Sequence, residues 1–230
     1  MKTITLPDGR KLSYELTRKA VRNINFRVKP DGVVHVSASS RVAVSRIEQL
    51  LAQHGAGFLD AAEKLKQREE RSDLSSLESV NWLGKEYPVR IIRNARETAV
   101  LDETELRVFT QRSDDEDYLR WLVQRAVADS FVRLCGELNE EVRNALSSRG
   151  LNPPPTRITI KDMRSRWGSC SYTRGHISIN IRLAAYPRET VLSVFWHEYA
   201  HYWHHDHSAA FYAFLDEHFP EYRKWNGLLK

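Results

Sequence analysis

The sequence predicts an α+β chain: a β-rich N-terminal region with one helix, then a region in which a histidine-bearing helix packs on a small sheet. Three observations predict it. Short alternating or β-branched segments, punctuated by two Pro-Asp-Gly turns, dominate the first 112 residues. After the acidic run Asp114 to Asp117 an apolar stripe recurs at helical spacing. After the prolines Pro153, Pro154 and Pro155, strand-like and helical segments alternate. The implied domains are 1–112 and 113–230.

Each element has its own signal. The segments ITL, KLSYELT, NINFRVK and VVHVSAS read as strands of an antiparallel sheet, with turns at Pro7–Gly9 and Pro30–Gly32. From Ala43, the residues Val44, Ile47, Leu50 and Leu51 fall on one helical face. The charged stretch 64–73 reads as a solvated helix end followed by a linker. NWLGKEYPVRIIRN, ETAVLD and ELRVFTQ read as a meander. Leu119, Leu122, Val123, Ala126, Val127, Phe131 and Leu134 make the stripe of a long helix, with a break expected at Gly136. The prolines cannot lie inside a helix and mark a stiff connector. TRITIKD follows as a strand, and Gly175 suits the turn of a hairpin between RWGSCSYT and HISINI. Pro187 is placed to open the helix RETVLSVFWHEYAHYW. Two short helices, 209–218 and 221–229, close the chain, and no internal repeat is legible.

Composition narrows the class. The chain has 230 residues, 41% hydrophobic and 28% charged, as in ordinary soluble proteins. No apolar run approaches the roughly 20 residues that span a bilayer, so no membrane partner is expected. The segment MKTITLPDGRKLSYEL alternates like a strand and has no apolar core, unlike a signal peptide. Cys135 and Cys170 form no disulfide framework, which points to a reducing, cytoplasmic setting. The net charge of +5 permits an anionic substrate or nucleic acid and demands neither.

The chemistry concentrates at His197-Glu198-Tyr199-Ala200-His201. Residues four apart share a helix face, so both imidazoles can reach one metal ion. Glu198 is turned by about 100° from His197, where it can approach a metal-bound water without ligating. Zinc lowers the pKa of such a water to about 7, and a carboxylate can then take its proton. The preceding VLSVFW is apolar, so the helix is a core element, where unpaired polar groups are costly. A catalytic zinc site has three protein ligands and an open position. His204, His205, His207 and a distant carboxylate, Glu217 or Glu221, are candidates for the third. His207 lies ten residues after His197, the spacing of the metzincin pattern H-E-x-x-H-x-x-G-x-x-H, which favours it as the third ligand. His204 replaces that pattern's glycine, so the chain must turn at His204, His205 or Asp206, types that tolerate positive φ. His204 and His205 then read as helix-end residues, and Ser208 as the cap of the next helix.

The sequence resembles the YgjP-like zinc metallopeptidases. The resemblance rests on Arg166-Trp167-Gly168-Ser169-Cys170-Ser171, on Gly175-x-Ile177-x-Ile179-Asn180-x-x-Leu183, on His197-Glu198-x-x-His201, and on Asp206-His207-Ser208-x-x-Phe211. Leu83-Gly84-Lys85-x-Tyr87 also fits the family's layout, so the likeness covers nearly the whole chain. Family members usually carry Asn at Asp206 and Leu at Tyr199. The resemblance implies a zincin-like catalytic domain, one zinc per chain held by His197, His201 and His207, and base catalysis by Glu198. It leaves the substrate open, because one relative is described as a pyrophosphatase acting on UTP.

Arg164, Arg166 and Trp167 lie just before or within the hairpin strand. In an extended strand Arg164 and Arg166 point to one face, where guanidinium can hold a carboxylate or phosphate; ion pairing with Asp162 is the alternative. Trp167 reads as core and Cys170 as a small buried hydrophobe. Tyr199, Tyr202, Arg164 and Arg166 are candidate donors to a reaction oxyanion. Three functions compete: a metallopeptidase, a nucleotide pyrophosphatase, and a nucleic-acid-binding protein with structural zinc. The last is disfavoured because neither cysteine has the spacing of a closed site.

Overall fold

The computed structural model describes residues 1–71, 74 and 76–229. The linker expected after the charged stretch 64–73 lies outside the described residues. The chain forms two compact units, Met1–Arg71 and Ser72–Lys230.

The first unit runs β1 (Lys2–Thr5), β2 (Lys11–Arg18), β3 (Asn25–Val28), β4 (Val34–Ala38) and α1 (Val44–Arg71). Its sheet order is β1-β2-β4-β3. Each Pro-Asp-Gly turn closes a hairpin, with Gly9 at φ 84° and Gly32 at φ 80°. The two hairpins join through β2 and β4, which run parallel, so the expected all-antiparallel sheet is corrected. Burial explains the order. Val34, Val36 and Ala38 of β4 are buried and pack with Leu12, Tyr14, Ile47 and Leu51, which favours a central strand. In β3, Asn25 and Arg27 are exposed, which suits an edge.

The second unit opens with β5 (Ser79–Trp82), β6 (Lys85–Arg93), β7 (Thr98–Leu101), β8 (Leu106–Thr110) and α2 (Glu116–Ser147). Its first sheet has the order β5-β6-β8-β7, again with a parallel inner pair, so it is not a meander. Two hairpins, a parallel join and a long helix therefore occur twice in the chain. This structural repeat escapes the sequence because only the burial pattern is kept. VHVSA in β4 and LRVFT in β8 share alternating burial and little else. The sequence grouped both sheets in 1–112; in the structure the second belongs with α2. Val80, Leu106 and Val108 share one core with Leu119, Leu122, Val123 and Val127 of that helix.

Asp115 caps α2 by accepting the backbone N–H of Tyr118 at 3.1 Å. The expected break at Gly136 is absent. Gly136 is exposed while Cys135 and Leu138 beside it are buried, so core packing outweighs the roughly 1 kcal/mol that glycine costs a helix. A third sheet contains β9 (Arg157–Lys161), β10 (Gly168–Ser171) and β11 (His176–Asn180), in the order β10-β11-β9. The expected hairpin is β10–β11, and Gly175 sits at φ 57° in its turn. Next come α3 (Arg188–Ala200), α4 (Ala209–His218) and α5 (Tyr222–Asn226). The motif helix α3 packs on β10, β11 and α2, as the fold reading required. Among the described residues no helix is long and apolar enough to cross a membrane.

Candidate metal centre

Helix α3 is buried on almost every side, with Thr190 to Trp196 and Glu198 to Ala200 inside. Its start is propped by the β5–β6 turn. Leu83 and Gly84 both have positive φ, 50° and 81°, the backbone of a tight two-residue hairpin. Leu83 is held there by its N–H bond to the carbonyl of Ala184 at 2.8 Å. A Cβ on Gly84 would lie 2.9 Å from Cγ of Pro187, which caps α3. The Leu83-Gly84 segment therefore sets where the motif helix begins.

The structure brings His197, His201 and His207 together. Their ligand atoms lie within 4.8 Å of one another, and the Nε2 atoms of His197 and His207 are 3.0 Å apart. The chain returns to place His207 without any left-handed residue, which corrects the expectation of positive φ at 204–206. Instead the helix end tightens: Tyr202 N–H bonds to Tyr199 O and Trp203 N–H to Ala200 O. The Asp206 carboxylate accepts from both the hydroxyl and the N–H of Ser208, which brackets His207 and holds the Asp206 acid below its usual range. Ser208 occupies the N-cap of α4, but its hydroxyl makes no cap bond. Beneath the three imidazoles lies Phe211, fully buried, with its ring centroid 4.9 Å from each.

The donor set fits a metal ion. Each helix histidine has its Nδ1 engaged, His197 with the Tyr222 hydroxyl at 2.9 Å and His201 with the carbonyl of His204 at 3.0 Å. Both are thereby fixed to present Nε2. Burial, then the neighbouring imidazoles, push His197 down to about 3, so it stays neutral as a ligand must. The 3.0 Å between the Nε2 atoms of His197 and His207 is close to the roughly 3.3 Å that separates two nitrogens sharing one tetrahedral zinc. Glu217 and Glu221 are not in the cluster. His204 contributes its backbone carbonyl, and His205 Nδ1 lies 3.0 Å from the carbonyl of His201 at the helix end. Tyr222 was not singled out from the sequence, since one Tyr near the end of a chain carries no local signal. Tyr222→Phe is expected to keep the fold and weaken metal retention by about 10-fold to 100-fold, read by competition with a chelator.

Glu198 is only 4% exposed. Burial pushes its carboxyl up to about 8, opposed by the Arg166 charge and by the N–H of Cys170, which donates to it. A bound dication opposes the same rise. Because Cys170 N–H points at Glu198, the outer edge of β10 faces this carboxylate. Gly168 is required by the same approach: a Cβ there would lie 2.8 Å from Cγ and Cδ of Glu198 and closer still to Oε1.

The metal cluster, Glu198 and residues 166–170 line one cavity of about 540 Å³, with Tyr172, His205 and Asn226 also in its wall. The two arginines separate here. Residues 164 and 165 form a bend rather than a strand, so the expected alternation fails. Arg166 lines the cavity and Arg164 does not. Asp162 is ion-paired with Arg182 at 2.7 Å, and the Arg164 charge also helps hold its carboxyl below the usual range. Their loop is pinned by fully buried Asn180, whose amide donates to the carbonyls of Met163 and Arg166 at 2.7 and 2.8 Å. Tyr202 also lies off the cavity wall, its hydroxyl 2.9 Å from that of Thr156. Tyr199 is fully buried and donates to Asn139 at 2.6 Å, so it is spent as an oxyanion donor. Trp167 packs on the core edge-to-face with Tyr186 and also lines the cavity. Cys170 is half-buried, and burial raises its thiol to about 12, which suits packing and not attack.

Comparison with curated proteins and with solved structures found no match. The sequence model of the YgjP-like metallopeptidase domain matches residues 22–230, the region that builds both the second unit and the histidine cluster, and the chain therefore belongs to the YgjP-like metallopeptidase family.

Proposed function

We propose that this chain is a zinc-dependent peptidase with His197, His201 and His207 as ligands and Glu198 as general base. One observation carries the reading: the buried Glu198 carboxylate lines one cavity with the three-histidine cluster and the outer edge of β10, the terminal strand of its sheet. Zinc, when bound, supplies a water of pKa near 7 and polarises the scissile carbonyl. Glu198 takes the proton of the attacking water and passes it to the leaving nitrogen. The outer edge of β10 accepts an extended peptide by backbone pairing, which positions it without selecting its sequence. The free thiols of Cys135 and Cys170 support a reducing, cytoplasmic setting.

Arg166 favours a second reading, nucleotide pyrophosphate hydrolysis at the same site. Its guanidinium lines the cavity, where its charge also acts on the Glu198 carboxylate. The two readings part on substrate. The zinc-loaded protein is expected to cleave members of a peptide library in a Glu198-dependent way. Release of pyrophosphate from nucleoside triphosphates such as UTP, with no peptide cleaved, would replace the first reading by the second. With an anionic substrate of either kind, Arg166→Ala is expected to raise KM by about 10-fold or more, with kcat falling chiefly at lower pH, where loss of this charge leaves the Glu198 carboxyl more protonated. Arg164→Ala should leave both constants unchanged, because its side chain is outside the cavity wall.

Gly168→Ala is expected to lower turnover while leaving the metal bound, since the added methyl displaces the Glu198 carboxylate and not a ligand. Metal content and rate measured on one preparation check this. A Gly168→Ala enzyme of full activity would show that Glu198 can move without cost.

A further inference from the structure

The positive charge of this chain is not spread evenly. Residues 1–71 hold 14 Lys and Arg against 8 Asp and Glu, a net of +6, while residues 72–230 hold 21 against 22. Within the first unit the fold sorts the charges again. β2 and β4 run parallel and end together, β3 starts beside the end of β4, and α1 begins directly after it. This end of the sheet carries Arg18, Lys19, Arg22, Arg41 and Arg46, all exposed. The stretches 16–24 and 37–47 that build it contain no carboxylate. The nearest carboxylates along the chain, Glu15 and Glu48, are engaged by His35 and by the Tyr14 hydroxyl. Arg18 braces the surface by donating to the carbonyls of Ser39 and Val42 at 2.7 and 2.9 Å, which ties the end of β2 to the β4–α1 loop. Among the described residues none of the five cations forms an ion pair. The opposite end of the sheet is different: there Arg10 pairs with Asp8 and Asp60, and Asp31 and Glu63 line the same hollow.

Gathering five like charges on one surface costs self-repulsion that an exposed mixed surface avoids, and a polyanion removes that cost. We propose that this end of the first unit binds the phosphate backbone of nucleic acid without reading bases. Four of the five cations are arginines, whose planar fork makes paired hydrogen bonds with phosphate. Residues 17–25 and 37–46 include no aromatic side chain, so there is no platform on which bases stack. None of the exposed large hydrophobic residues described lies in these stretches, which favours a nucleic-acid backbone over an inserted membrane surface.

The test uses the full-length protein and a labelled mixed-sequence duplex, followed by fluorescence anisotropy across a salt series. Binding is expected at low salt, with log K falling against log salt at a slope of about −3 to −4.5, as for three to five neutralised phosphates. The double variant Arg22→Glu with Arg41→Glu should lose at least about 10-fold in affinity and flatten the slope. Lys29→Glu with Lys64→Glu makes the same change in net charge at other exposed positions of this unit and should leave affinity near that of the parent. Circular dichroism on both variants reports the fold, and if the first pair unfolds the protein, Arg22→Gln with Arg41→Gln takes its place. Equal losses from the two pairs would overturn the proposal in favour of general charge. So would binding to phosphatidylserine vesicles with none to the duplex, or no duplex binding at 50 mM salt, about the lower end of the range in which phosphate contacts dominate.

Discussion

His207→Ala should strip the metal from this protein, while His204→Ala and His205→Ala should leave it bound. Three imidazole nitrogens converge, and His207 supplies one whose Nε2 is already 3.0 Å from that of His197. Removing one of three ligands leaves a two-histidine site on a single helix, so the loss should exceed the roughly 10-fold to 100-fold cost of removing a partner behind a ligand. His204 acts through its backbone carbonyl, which alanine retains. His205 stacks on Tyr172 at 3.9 Å and contacts the carbonyl of His201, so its loss loosens the turn without emptying the site. Parent protein should hold about one zinc per chain, the stoichiometry of a mononuclear three-ligand site. Metal content after dialysis against a chelator is the measurement. Retention by His207→Ala, with release by Glu217→Ala or Glu221→Ala, would replace the third histidine with a carboxylate.

The parts of this site that were legible in the sequence are those set by local periodicity. Two histidines four apart on an apolar helix must share a face, whatever surrounds them. His207 was legible only through its spacing, and the sequence misjudged how the chain returns: a tightened helix end and the Asp206–Ser208 clasp replace a left-handed residue. Contacts between distant segments were not legible. The sequence lets Gly168 be a place of close approach but cannot say that Glu198 is what approaches, and Asn180 reads as a motif residue until its amide is found holding the loop before β10. Tyr222 meets His197 across 25 positions. The sheets failed for the same reason. The two hairpins of the first sheet were marked by their Pro-Asp-Gly turns, but nothing local says that hairpins join through parallel inner strands. Burial marks only one member of each inner pair, β4 and β8, whose core faces are wholly buried.

Glu198→Gln should retain zinc and lose about 10²-fold or more in turnover, the contribution of a positioned general base. The amide keeps the length and shape of the side chain, so it still fits over Gly168 and beside the N–H of Cys170. What it loses is the capacity to take a proton. The carboxylate is not one of the three clustered ligands, so metal content should not follow activity. His197→Ala separates the two effects in the other direction: it removes a ligand, and both metal and activity should fall together. Measuring both quantities on the same preparations gives three distinguishable results. Zinc retained with activity lost supports the base. Zinc lost from Glu198→Gln would make the carboxylate a ligand or an essential support of the cluster. Full activity in a zinc-loaded Glu198→Gln protein would remove Glu198 from the mechanism, and the buried carboxylate at the cavity wall would then need another explanation, since a group 4% exposed with one N–H partner is costly to keep.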